Sequence, residues 1–110
     1  MNLQELAPKA AEAERLLKAL ASKHRLMILC QLHKGEMSVT ALEKAIGLSQ
    51  PSLSQQLARL RADALVKTRR ESQTIRYSLA NEHASRVIEL VYELFCGGGR
   101  AAPKSKPPRR

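Results

Sequence analysis

Aromatic side chains are scarce in this chain: it has no tryptophan, two tyrosines (Tyr77, Tyr92) and one phenylalanine (Phe95). Its core must therefore be built from Leu, Ala, Ile and Val, a composition that suits packed helices. No apolar run approaches a membrane span, and the N-terminus lacks a signal-peptide layout, so no membrane partner is expected. Cysteine is equally rare, with only Cys30 and Cys96. Without a secretion signal, these are expected to be thiols in a reducing cytoplasm, reactive or buried, and not a structural disulfide. There is no Cys-x-x-Cys at a helix start and no nucleophile–base–orienter set, which argues against a thiol oxidoreductase and against an enzyme in general. No cofactor is called for. Acidic residues are outnumbered, ten Asp and Glu against nineteen Lys and Arg, for a net charge of +9 and a pI near 10.2. That balance favours a polyanionic partner. A length of 110 residues fits one domain.

The stretch from Val39 to Arg61 organises the rest. Ser38 stands where an N-cap belongs, and Val39, Leu42 and Ile46 mark an apolar helical face. Gly47 suits the left-handed residue that ends a helix, with Leu48 as a buried plug. Ser49 offers a second N-cap, and Pro51 is tolerated in the first turn, where its missing N–H would have no partner. Leu53, Leu57 and Leu60 form the inner stripe of this second helix. Outward it carries Gln50, Pro51, Ser52, Gln55 and Arg59, with Ser54 on the flank. Short amides and hydroxyls with Arg, in place of the usual Glu and Lys, are what base edges and phosphates in a major groove require. The two helices and their turn read as a helix-turn-helix. Charge is concentrated around it: residues 49–79 hold six basic residues (Arg59, Arg61, Lys67, Arg69, Arg70, Arg76) against Asp63 and Glu71.

Before this unit, Leu3, Leu6, Ala10, Ala13, Leu17 and Leu20 alternate three and four residues apart, a heptad-like seam for a core or for a partner helix. Pro8 limits how far its N-terminal end is ordered. Ser22 caps a second helix closed by Gly35, with Leu26, Leu29, Cys30 and His33 on one face. After Asp63 the period changes. Val66, Thr68, Ile75 and Tyr77 approach the alternation of a two-stranded ribbon, joined through Glu71, Ser72 and Gln73 without the strong Asn-Gly signal. Arg69, Arg70, Gln73 and Arg76 on this hairpin suit a wing lying on a phosphate backbone or minor groove. Asn81 caps a last helix with Val87, Leu90, Val91 and Leu94 apolar on one side, ending at Cys96. The fold class expected is mainly α with a small β-hairpin, a winged helix-turn-helix in the order α-α-α-α-β-β-α. Residues 1–96 would form the DNA-binding domain. Residues 97–110, Gly-, Pro- and Lys/Arg-rich with five basic and no acidic residues, would be a disordered basic tail adding non-specific phosphate attraction.

In this order of elements, the segments ALASKHRLMIL at 19–29, ALEKAIGLSQPSLSQQLARLRADALV at 41–66 and TRRESQTIRYSL at 68–79 resemble the ArsR/SmtB family of bacterial winged-helix repressors. His24 departs from the Pro often found there. The resemblance implies a cytoplasmic homodimer paired through its first and last helices, with two recognition helices meeting successive major grooves of a palindromic double-stranded operator. Gln50, Ser52, Ser54 and Gln55 would read or flank bases, and Arg59, Arg69, Arg70 and Arg76 would grip phosphates, with Gln73 at the wing tip. Metal-sensing relatives carry a Cys-x-Cys pair where this chain has Ser38 and Thr40, which are poor ligands for a thiophilic metal. Another branch uses a set on the last helix; here Asn81 and His83 stand at its start but Leu94 replaces the second histidine, so no metal site is expected.

The pair Cys30 and Cys96 resembles the sulfide-responsive dithiol branch of that family (BigR, SqrR and HlyU-like proteins). The resemblance implies that reactive sulfur species or oxidants bridge the two cysteines as a disulfide or polysulfide and release the repressor from DNA. His24, Arg25 and His33 lie near Cys30 in sequence and are the candidates to favour its thiolate, helix geometry leaving open which of them face it. The glycines after Cys96 would let the helix end shift to close the bridge. Two rivals stand beside this: a metal or metalloid sensor using Cys30, Cys96 and His83, and an architectural DNA binder with little sequence preference.

Overall fold

The computed structural model describes residues 1–97; most of the basic tail expected at 97–110 lies outside the described residues. The elements run α1 (Leu3–Leu6), a 3-10 turn (Ala7–Lys9), α2 (Ala10–Leu20), α3 (Lys23–His33), β1 (Met37–Ser38), α4 (Val39–Ile46), α5 (Gln50–Ala62), β2 (Val66–Glu71), β3 (Thr74–Leu79) and α6 (Glu82–Cys96). This is the winged helix-turn-helix expected from sequence, with one addition and one interruption. The addition is β1, which pairs antiparallel with β3 through Met37↔Tyr77 and Ser38↔Arg76, so the wing is a three-stranded sheet in the order β1-β3-β2. The interruption is the 3-10 turn around Pro8, which divides the N-terminal seam into a short α1 and a longer α2.

Local chemistry fixes the helix starts. The side-chain oxygens of Ser22, Ser38, Ser49 and Asn81 accept from the backbone N–H three residues on, at 3.4, 3.1, 3.4 and 2.9 Å, each satisfying a donor the helix leaves open. Gly47 ends α4 at φ +89, a left-handed conformation a side chain would resist. The exit from α5 uses Ala64 at φ +61 instead, turning the chain so that Leu65 and Val66 enter the core.

That core is aliphatic, as the scarcity of aromatics requires. Ile28, Leu29 and Leu32 of α3 meet Leu42 of α4, the Leu53–Leu57–Leu60 stripe of α5, Leu65 and Val66, and Ala84 and Ile88 of α6. Two expected faces shift. On α3 the buried stripe includes Ile28 and Leu32, with Leu26 and Cys30 only half-buried and His33 exposed. On α6, Val87 and Val91 lie at the margin of the buried Ala84–Ile88 stripe, whereas Leu90 and Leu94 are exposed. Leu3, Leu6 and Leu17 of the N-terminal seam are exposed too; only its last member, Leu20, is buried.

Candidate nucleic-acid interface and cysteine groove

The inner stripe of α5 decides what the helix presents outward. With Leu53, Leu57 and Leu60 fully buried, Gln50, Ser52, Ser54, Gln55 and Arg59 are all exposed. Among the described residues none of these five side chains forms an internal hydrogen bond or ion pair, so their donors and acceptors are open to an external partner. Gln56, at the border between the stripes, is different: its Oε1 accepts a hydrogen bond from Arg25 Nε at 3.2 Å.

The wing divides its cations between two faces. Side chains alternate along a strand, and the register sets Arg69 opposite Arg76, and Arg70 opposite Ile75. Arg69 and Arg76 therefore share a face with Glu71, and the guanidinium of Arg69 makes a two-pronged contact with Glu36: Nη2 to Oε1 at 2.7 Å and Nε to Oε2 at 3.0 Å. Arg76 Nε donates to Glu71 Oε1 at 2.6 Å. The hydrogen bond from Arg69 holds the Glu36 carboxyl below its ordinary value, and that from Arg76 does the same to Glu71. Glu36 in turn raises Arg69. Arg70 stands on the other face beside exposed Ile75, and among the described residues it has no carboxylate partner. Ser72, at φ +60, and Gln73 form a two-residue turn at the exposed tip. The four wing residues singled out by sequence thus occupy three settings: an ion-paired face, an uncommitted face and the tip. Sequence patterning does not single out Glu36. Its signal is non-local, because it precedes the strand that joins the wing from the far side.

The cysteines occupy a different region. Cys30 of α3 is half-buried and packs against the core; Cys96, in the last turn of α6, is exposed; both are free thiols. Separated in sequence, they line one open groove between the two helices, together with Lys34, His83, Arg86 and Glu93. His33 Nε2 lies 3.1 Å from Glu89 Oε2 and ties α3 to α6 across this groove. Of the three groups expected to supply positive charge near Cys30 (His24, Arg25 and His33), only His33 lines it. Arg25 is turned away, towards α2 and α5, and His24 is absent from the lining. Lys34, one turn beyond Cys30, with His83 and Arg86 from α6, adds positive groups to a lining that also holds Glu89 and Glu93. Lys34 follows from helical spacing; the α6 pair depends on which helix packs there. Among the described residues, no three His, Cys, Asp or Glu side chains gather into a cluster that could hold a metal ion. No described helix is long and apolar enough to cross a membrane.

Known proteins share this arrangement of elements. The sequence pattern of the family described as "Bacterial regulatory protein, arsR family" matches residues 22–68. The chain is 49% identical over 96 residues to the transcriptional activator HlyU of Vibrio cholerae, spanning 87% of this chain and 89% of that protein. The crystal structure of the transcriptional repressor BigR from Xylella fastidiosa matches with a TM-score of 0.83 at 42% identity, over 87% of this chain and 98% of that one. A homodimeric winged helix-turn-helix DNA-binding domain from Mycobacterium bovis, solved in solution, matches with a TM-score of 0.70 at 35% identity, over 80% of this chain and 82% of that one. At such identity over most of both sequences, this chain belongs to the arsR family of bacterial regulatory proteins, DNA-binding transcriptional regulators built on the winged helix-turn-helix.

Proposed function

We propose that the protein is a cytoplasmic homodimeric repressor that leaves a palindromic operator when Cys30 and Cys96 become bridged. The observation that carries this reading is that both thiols line one groove between α3 and α6, the former packed against the core that seats the recognition helix. Gln50, Ser52, Ser54 and Gln55 read or flank bases, Arg59 and Arg70 hold phosphates, and Arg69, Gln73 and Arg76 set the wing on the backbone. Dimerisation through the first and last helices is supported by their exposed apolar residues, Leu3 and Leu17 on one side and Leu90, Leu94 and Phe95 on the other. The relative from Mycobacterium bovis is homodimeric, which supports a dimer without specifying its interface. Residues 1–96 are then the DNA-binding and dimerisation domain, and the basic residues after Gly97 add sequence-independent attraction to phosphate.

The chemistry balances with an organic persulfide, RSSH, as the oxidant. The thiolate of exposed Cys96 attacks the outer sulfur, forming a Cys96 persulfide and releasing RSH once the leaving thiolate takes a proton. The Cys30 thiolate then attacks Sγ of Cys96 itself; the bond from Sγ to the outer sulfur breaks, a disulfide closes and the outer sulfur leaves as hydrogen sulfide. Two cysteine thiols are oxidised, and one persulfide is reduced to RSH and hydrogen sulfide. A longer polysulfide bridge retains additional sulfur from further persulfide. A bridge acts on DNA binding only through its different strain in the bound and released geometries, so it must fit the released one better.

The test is the intact mass of the reduced protein after anaerobic exposure to an organic persulfide, with Cys30→Ser alongside. The expected result is an intramolecular bridge in the parent protein and only a Cys96 adduct in the variant, accompanied by loss of operator binding in the parent alone. Independent adducts on each cysteine, with no bridge, would sink this reading.

A further inference from the structure

Arg25 lies in the first turn of α3 but serves two other helices. Its Nη1 donates to the Ala19 carbonyl at 3.0 Å, near the C-terminal end of α2, while its Nε donates to Gln56 Oε1 at 3.2 Å, in the middle of α5. The Ala19 carbonyl is among the last four of its helix, which have no intrahelical donor. A guanidinium only donates, so the Gln56 amide must turn its oxygen towards Arg25 and its amino group away. The planar fork holds both acceptors at once, and its two directions are fixed relative to each other.

The core contacts of α5 lack this directionality. Leu53, Leu57 and Leu60 are aliphatic and pack without directional bonds, so by themselves they fix the rotation of the helix about its axis less sharply than a hydrogen bond does. Such freedom matters at the DNA surface. Side chains reach roughly 5–6 Å from the axis, so a rotation of roughly 10° carries their tips by about 1 Å, enough to spoil a two-pronged hydrogen bond to a base. Gln56 is one residue from Gln55, and it flanks Ser52 and Arg59 at helical spacing on the border of the outward face.

We infer that Arg25 is a positioning residue for sequence reading: by holding Gln56 against the end of α2, it fixes the rotational setting of the recognition helix. It acts through Gln56 and needs no contact with DNA. The role is independent of the cysteines, and it operates in the fully reduced protein.

The test is a double-mutant cycle on the reduced full-length protein with Arg25→Ala, Gln56→Met and the double variant. The probes are two duplexes of equal length, one enriched from a random pool by the parent protein and one unrelated. Gln56→Met removes the acceptor while keeping helix propensity, side-chain length and every charge. The expected result for Gln56→Met is about tenfold weaker binding to the enriched duplex, unchanged binding to the unrelated duplex and an unchanged melting temperature; a tenfold loss corresponds to about 1.4 kcal/mol. The double variant should bind no more weakly than Arg25→Ala alone, because both changes break the same link. Arg25→Lys, which keeps the charge but lacks the fork, should resemble Arg25→Ala. Three results would each overturn the inference: parent-like binding by Gln56→Met, losses that multiply in the double variant, or equal losses on both duplexes. Multiplying losses would mean that Gln56 reads bases itself. Full rescue by Arg25→Lys would overturn it too, by showing that Arg25 holds a phosphate.

Discussion

The recognition helix and the wing are both exposed and polar, yet they hold their polar groups in opposite ways. On α5 the outward Gln50, Ser52, Ser54, Gln55 and Arg59 have no internal partners among the described residues, whereas on the wing Arg69 and Arg76 are bound to Glu36 and Glu71. An uncommitted amide or hydroxyl loses only its water when it meets a base edge. A paired guanidinium must first give up, or share, a charge-assisted hydrogen bond. The contrast supports the proposal that α5 reads sequence, while pairing with Glu36 and Glu71 stiffens the hairpin and makes any use of Arg69 and Arg76 on the DNA backbone costlier than that of Arg70. Arg70, on the opposite face and without a carboxylate partner among the described residues, is the wing residue ready to contribute charge to DNA.

The largest effect separates folding from reading on α5 itself. Leu57→Ala opens the fully buried inner stripe and should cost about 2–5 kcal/mol of stability, seen in chemical denaturation. Two positions earlier, Gln55→Ala should leave stability unchanged and weaken operator binding by about 1–3 kcal/mol, with no change on unrelated DNA. Equal losses on both duplexes would erase the contrast between the two regions. Arg70→Ala should weaken binding to both duplexes alike and lower the salt-dependence slope by about one. Arg69→Ala should change that slope less than Arg70→Ala does; the reverse order would show that Arg69 exchanges Glu36 for phosphate on binding.

The smallest effect concerns the carboxylates. Glu36 and Glu71 are both held below the ordinary glutamate value in the folded protein, so their ion pairs support the wing above that range, which lies near about 4.3. This contribution is lost as pH falls through their lowered values; around neutral pH it is constant. Amide exchange in β2 and β3, followed by NMR as pH is lowered, should show the hairpin loosening in acid. Glu36→Gln should show part of that loosening already at neutral pH, with a slight gain in non-specific DNA affinity from the lost negative charge. Acid behaviour identical to the parent's would remove Glu36 from the stiffening role.

What is legible in the sequence follows the range of the interactions. The helix-turn-helix is readable because each cap joins residues three apart, and because Gly47 and the leucine spacing mark its turn and stripe locally. β1 is not readable: two residues form a strand only because Arg76 and Tyr77, far along the chain, offer them an edge. The Arg25–Gln56 link and the Glu36–Arg69 pair are long-range in the same way. The separation of Arg70 from Arg69, by contrast, follows from strand alternation alone, whereas placing Arg76 beside Arg69 also needs the hairpin register. On α6 an apolar face is readable, but helical spacing does not distinguish the side that meets α3, Ala84 and Ile88, from the one that leaves Leu90 and Leu94 exposed.

The strand order β1-β3-β2 leaves β2 with a free edge, and β1 shields only two residues of β3. Open edges invite another molecule to add its own strand, the first step towards insoluble assemblies. Of the cations on the six-residue β2, Arg69 is matched by Glu36 and Glu71, while Lys67 and Arg70 have no carboxylate partner among the described residues; in two copies brought edge to edge, these like charges oppose backbone pairing. Positive charge that suits the wing to a polyanion is thus also charge that opposes self-association through an open strand edge, and neutralising Lys67 and Arg70 should lower solubility at high concentration.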